Sequence, residues 1–163
     1  MSDVTLSRLF RHMAWANNQL FTKLSTLPEE ALSFSAWNPD WTVGKLANHI
    51  VIAQGRLISR VEKTAAPTEI DFPLTSKGMK DLAEKVADND SRMEKLLSTP
   101  DEMRTFLRYG EEVSYLTSTI LAQFVHHATE HRAQIADILA ANNMDVINLD
   151  DIDLWSFERS ERN

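Results

Sequence analysis

The segment FVHHATEHRAQI, residues 124–135, places His126, His127 and His131 within six positions of one another, in a chain that has only five histidines among 163 residues. Neutral imidazole is the commonest protein ligand for transition metals and carries protons near neutral pH. At 100° per residue, Ile120, Phe124, His127, His131, Ile135 and Ile138 fall in one sector of a helix. His127 and His131 therefore sit one turn apart on a core-facing seam, a spacing from which both rings reach one ion at about 2.0–2.1 Å. His126 lies about 100° away on the same wheel and points elsewhere. A third ring comes from His49, at the edge of the stripe formed by Leu46, Ile50 and Ala53. His12 falls on the far side of its helix from Leu6, Phe10 and Met13 and is left out of the set.

With no cysteine in the chain, there is no thiolate nucleophile and no disulfide, and any metal must be held by His, Asp or Glu. Buried histidines also serve as hydrogen-bonded core residues. Two on one seam are costly to bury unless every ring nitrogen has a partner, a need that a cation meets for both together. HATEH further fits the H-x-x-E-H pattern of inverted zinc proteases, whose Glu is the general base. Here Glu130 is turned toward the flank of the seam, and the chain ends soon after the pair. No inward Asp or Glu is evident on the helix seams, so a hydrolase would have to draw its base from loop residues such as Asp40 or Asp71.

The elements that must position these rings read as helices. Apolar residues recur at three- and four-residue steps from Leu6 to Leu24, and Pro28 closes the first helix. PEEAL predicts a short helical turn, and AWNPDWT a loop in which Thr42 caps the second helix. That helix carries Leu46, Ile50, Ala53, Leu57 and Val61, and the polar, proline-containing run TAAPTEIDFPLTS predicts a long crossover. Met79, Leu82, Val86, Met93, Leu96 and Leu97 mark a third helix that stops before Pro100, with Lys, Asp and Glu on its outward face. FLRYGEEVSY, with a central glycine, predicts a short hairpin or extended link. The fourth helix runs from about Thr117 to Ala141 and ends at ANN, where Asn accepts left-handed geometry. The tail, residues 145–163, is expected to pack across the helices. The expectation is a single all-α domain over 1–163, an antiparallel four-helix bundle with a long crossover.

Composition narrows the class. A hydrophobic share of 43% and a charged share of 25% are those of an ordinary globular protein. A formal charge of −7 excludes a general phosphate-backbone binder, which needs clustered Lys and Arg. No segment has the length of a membrane span or the apolar core of a signal peptide, so a cytoplasmic protein is expected, with neither nucleic acid nor membrane as partner.

RLFRHMAWANNQLF in the first helix, WTVGKLANHIVIAQGRLI in the second and HHATEHRAQIADIL in the fourth resemble the DinB/YfiT-like superfamily of metal-dependent bundle proteins. An aspartate-plus-aromatic ending, here DIDLWSF, belongs to the same resemblance. It implies an up-down-down-up four-helix bundle, commonly a homodimer, and it assigns the metal to His49, His127 and His131. The usual H-R-G-Q reads HRAQ here, with Ala133 in place of glycine and no ligand altered. Trp15, opposite the core stripe of the first helix, is either a contact residue for a second copy or an ordinary singly exposed aromatic. Trp37 and Trp41 flank the loop before His49, while Asn17 and Gln134 point toward the seam, where each orients a ligand or satisfies a buried polar neighbour.

Three neutral histidines leave zinc or nickel an open position. Because some relatives act with low-molecular-weight thiols, the resemblance implies a metal-dependent enzyme on a small-molecule substrate, a thiol-dependent S-transferase of detoxification or stress response. No catalytic side chain is assigned. The alternatives are a non-catalytic, stress-induced metal- or ligand-binding dimer and a metal-dependent hydrolase.

Overall fold

Periodicity becomes packing in four long helices: α1 (Val4–Leu24), α2 (Val43–Glu62), α3 (Ser76–Lys95) and α4 (Thr117–Ala141). The structure is a computed structural model and describes residues 4–162. α1 packs on α3 and α4, and α2 on α3 and α4. A two-stranded antiparallel sheet, β1 (Met103–Arg108) with β2 (Glu111–Leu116), precedes α4, and a short α5 (Leu154–Glu161) follows it. The fold is mostly helical, and FLRYGEEVSY forms the hairpin, one of the two forms expected of it. The sheet forms because Tyr109 and Gly110 both take positive φ, 53° and 86°, the pattern of a two-residue type I′ turn.

The helix ends are set by local chemistry. Thr42 Oγ1 accepts the Lys45 amide at 3.3 Å, and Thr75 Oγ1 accepts the Gly78 amide at 3.0 Å, each capping a free N–H. The residue at 78 must be glycine, because a Cβ there would lie 1.9 Å from the Pro73 carbonyl oxygen. Leu116 offers α4 no side-chain cap; instead Asp101 reaches over, its Oδ1 accepting the Ser118 amide at 2.8 Å. α4 closes with Asn143 at φ 60°. The crossover after α2 has no regular structure and is pinned by Asn48, whose Oδ1 accepts the Phe72 amide at 3.0 Å.

Two apolar clusters divide the interior. One gathers Leu20, Phe21, Leu46, Ile50, Met79, Leu82, Ile135 and Ile138. The other gathers Phe10, Met13, Leu57, Ile58, Met93, Ile120 and Phe124. Between them every long helix contributes buried polar residues: Asn17 from α1, Gln54 from α2, Asn89 and Asp90 from α3, Arg132 from α4. Asn17 Nδ2 donates to both Asp90 oxygens at 3.2 and 3.1 Å, Gln54 Nε2 donates to Asp90 Oδ1 at 2.9 Å, and Arg132 Nη1 donates to Asn17 Oδ1 at 2.8 Å. Burial raises the Asp90 pKa to about 7, against those donors and the Arg132 charge. Desolvation likewise lowers Arg132 to about 10, and the Asp90 charge opposes the fall.

The buried Asp90 corrects the expectation that no acid faces inward. It lies four residues after Val86 and three before Met93 on the buried stripe of α3, and its acidity masked a position that periodicity alone would have placed inside. A second correction concerns Trp15 and His12. The chain's own C-terminal segment covers both: Trp15 packs on Phe157 at 5.6 Å between ring centroids, and His12 Nε2 lies 2.9 Å from the Ile152 carbonyl oxygen. The outward tryptophan thus has an intramolecular partner. Arg8 and Arg11 add ion pairs to Glu161. Among the described residues no helix is long and apolar enough to cross a membrane.

Candidate metal centre

His49 is held in the second turn of α2, one residue after the asparagine that anchors the crossover. His127 and His131 project from the middle of α4. The packing of α2 on α4 brings the three rings together: His127 Nε2 lies 3.1 Å from His49 Nε2 and 3.1 Å from His131 Nε2. One ligand nitrogen from each lies within 4.8 Å of the other two, and all three side chains are half-buried. Among the described residues no other group of three His, Asp or Glu side chains gathers in this way. His126 is exposed.

The proton inventory of these rings favours a shared cation. His131 Nδ1 lies 2.6 Å from Gln134 Oε1. An amide oxygen only accepts, so Nδ1 carries the proton and Nε2 presents its lone pair. His127 Nε2 faces both neighbours and, in a neutral ring, can donate to one at most. At least one close contact in the trio therefore lacks a well-directed hydrogen bond unless a positive ion stands among them. Two donors at about 2.0–2.1 Å from a tetrahedral ion are about 3.3–3.4 Å apart, close to the observed separations. The donor set thus fits a divalent transition metal.

Electrostatics keeps the rings ready. Burial, then the neighbouring His131 and His49, lowers the His127 pKa to about 3. Burial, His131 and Arg56 lower that of His49. Both rings are neutral at pH 7, the form in which imidazole binds metal. Trp41 walls one side, edge-on to His49 at 5.1 Å and stacked with His131 at 6.4 Å between centroids. Trp37 is exposed at the loop. Asp40, Asp71 and Glu130 are all exposed, and Asp90 is committed to Asn17 and Gln54.

The family model named DinB matches residues 1–141, which hold all four long helices and the triad. The chain belongs to the DinB family. A crystal structure of a DinB-like protein from Bacillus cereus ATCC 10987 superposes with a TM-score of 0.62 at 19% identity, covering 85% of this chain and 91% of that one. At that identity the likeness shows the DinB fold alone. No curated protein matches the chain.

Sequence reasoning reached the triad and found Gln134 beside it. It missed Asn48, Gln54, Asp90 and Arg132. Arg132 follows His131 directly, and its place four residues after Ala128 and four before Ala136 on a buried stripe of α4 was the available signal.

Proposed function

We propose that this DinB-family chain is a metal-dependent enzyme in which His49, His127 and His131 hold zinc or nickel. Its reaction on this reading is thiol-dependent S-transfer to a small electrophile, in detoxification or stress response in the cytoplasm. The observation that carries the proposal is the convergence of three imidazole nitrogens, two of the rings held neutral, on one point between α2 and α4. A divalent ion there would supply an electron-pair acceptor that lowers the pKa of a coordinated thiol or water. The chain's own share is to present three lone pairs, to orient His131 through Gln134, and to shelter one side with Trp41. Three protein ligands leave room for a visitor. A hydrolase would need a base, and among the described residues no carboxylate hydrogen-bonds to the trio.

The same reading takes the long helices as an up-down-down-up four-helix bundle. It is supported by the order in which each helix passes the two apolar clusters: α1 and α4 from Phe10 and Ile120 toward Leu24 and Leu139, α2 and α3 from Leu46 and Met79 toward Val61 and Leu96. It also takes the protein as a homodimer, which sedimentation would test. For the chemistry, metal content is measured after purification without added metal, and the loaded protein is assayed with thiols and electrophiles. Turnover abolished by His49→Ala supports the enzyme. A metal-free protein, equally stable and inert, supports the alternative of a non-catalytic ligand-binding bundle.

A further inference from the structure

Roughly 120° around α2 from His49, the stripe of Val51, Gly55 and Ser59 lines a cavity of about 100 Å³ whose other walls are α3 and the crossover. Val51, Ile52, Pro67, Ile70 and Phe72 make it largely apolar, and the triad takes no part in it. The crossover residues 64–71 along its rim are exposed, so a visitor reaches it from solvent.

The polar groups of the wall define the visitor. Its charged members already have partners: Glu69 has Arg56, Lys85 has Asp88, and Arg92 has Glu62. Asn89 is different. It is only 1% exposed, and its Nδ2 donates to the Val51 carbonyl oxygen at 3.1 Å. A carbonyl oxygen only accepts, which sets the amide with its nitrogen toward Val51 and Oδ1 turned away. That Oδ1 has no hydrogen-bond partner in the protein, a costly state for a buried acceptor. Among the described residues Gln54 Oε1 is the other buried side-chain atom of this kind, and Gln54 is not part of the cavity wall.

We propose that this cavity is a second binding site, for an uncharged molecule about the size of one aromatic ring that presents a single O–H or N–H donor to Asn89 Oδ1. The size follows from the volume: an apolar cavity of about 150 Å³ takes benzene, and this one, smaller but open at its rim, has room for a ring of that size. Neutrality follows from the paired charges, since a charged visitor would have to displace an existing partner or lose its water uncompensated. The donor follows from the unmet acceptor. The site is built from α2, α3 and the crossover alone, and it stands whether or not the triad holds a metal.

Phenol, toluene and anisole test it, being close in size with one donor among the three. Each is titrated into the full chain while the methyl NMR signals of Val51, Ile52 and Ile70 are followed. Phenol is expected to shift these signals saturably and to bind about tenfold or more tightly than toluene or anisole, because a site with an unmet acceptor rejects analogues that lack the donor. Asn89→Leu is expected to remove that preference at unchanged circular dichroism. Three results overturn the proposal: no saturable shift at these methyls, phenol and anisole binding equally to the wild type, or a preference for phenol that persists in Asn89→Leu. The first two need no variant, so a substitution that prevented folding would leave the test intact.

Discussion

At His131 a neighbour chooses between two tautomers. Gln134 accepts from Nδ1 and so directs the free electron pair of Nε2 toward the other rings. Replacing Gln134 by Leu keeps every ligand but frees the tautomer and the ring, and outer partners of this kind are worth about 10–100-fold in metal affinity. Competition with a chromophoric chelator should show a loss in that range, and unchanged affinity would refute the role. Asp90 gives a second prediction at this scale. Its pKa is raised from 3.8 to about 7, so its contribution to stability is full below about 3.8 and is lost as the pH rises through about 7. The Asp90 carboxyl carbon should titrate near 7 in a 13C NMR series, and a midpoint near 4 would contradict this. The triad was legible in the sequence because a helical wheel converts i, i+4 spacing into a shared direction. Asp90 was not, because carboxylates are usually solvated and the donors that make its burial tolerable lie on other helices, far away in sequence.

At the scale of elements, most boundaries follow from local chemistry that a sequence displays: Thr42 and Thr75 as caps, Pro28 and Pro100 as stops, Gly110 in the hairpin turn. α4 runs from Thr117 to Ala141 as read, because its seam is long and its ends are marked. The start of α4 is different. Its Ser118 amide and hydroxyl both donate to Asp101 from before the hairpin, and only the folded chain brings that carboxylate there. The covering of His12 and Trp15 by the tail was illegible for the same reason, being a contact between opposite ends of the sequence. The junction before α3 yields a prediction: Gly78→Ala would drive a Cβ into the Pro73 carbonyl and force the crossover to move, costing about 1–3 kcal/mol. Urea unfolding measures it, and a loss below about 0.5 kcal/mol would show that the junction yields freely.

For the whole molecule, the polar layer between the two apolar clusters links all four long helices through Asn17, Gln54, Asp90 and Arg132. Asn17 is the link between Arg132 and Asp90, so Asn17→Leu takes a hydrogen-bond partner from each, leaving Asp90 with Gln54 and Arg132 with Thr129, and stability should fall by about 2 kcal/mol or more. Asn18, next to it and exposed, should tolerate Ala within about 0.5 kcal/mol. Equal effects of the two substitutions, compared by chemical denaturation, would show that the layer contributes nothing special.

That layer also works as a vernier. Greasy rods can slide past one another with little penalty, but a rod displaced by one turn, about 5.4 Å, would push its amide or charge into hydrocarbon and leave its counterparts on the other rods facing methyl groups. Only one mutual setting of the four avoids this, and in that setting His49 stands level with His127 and His131.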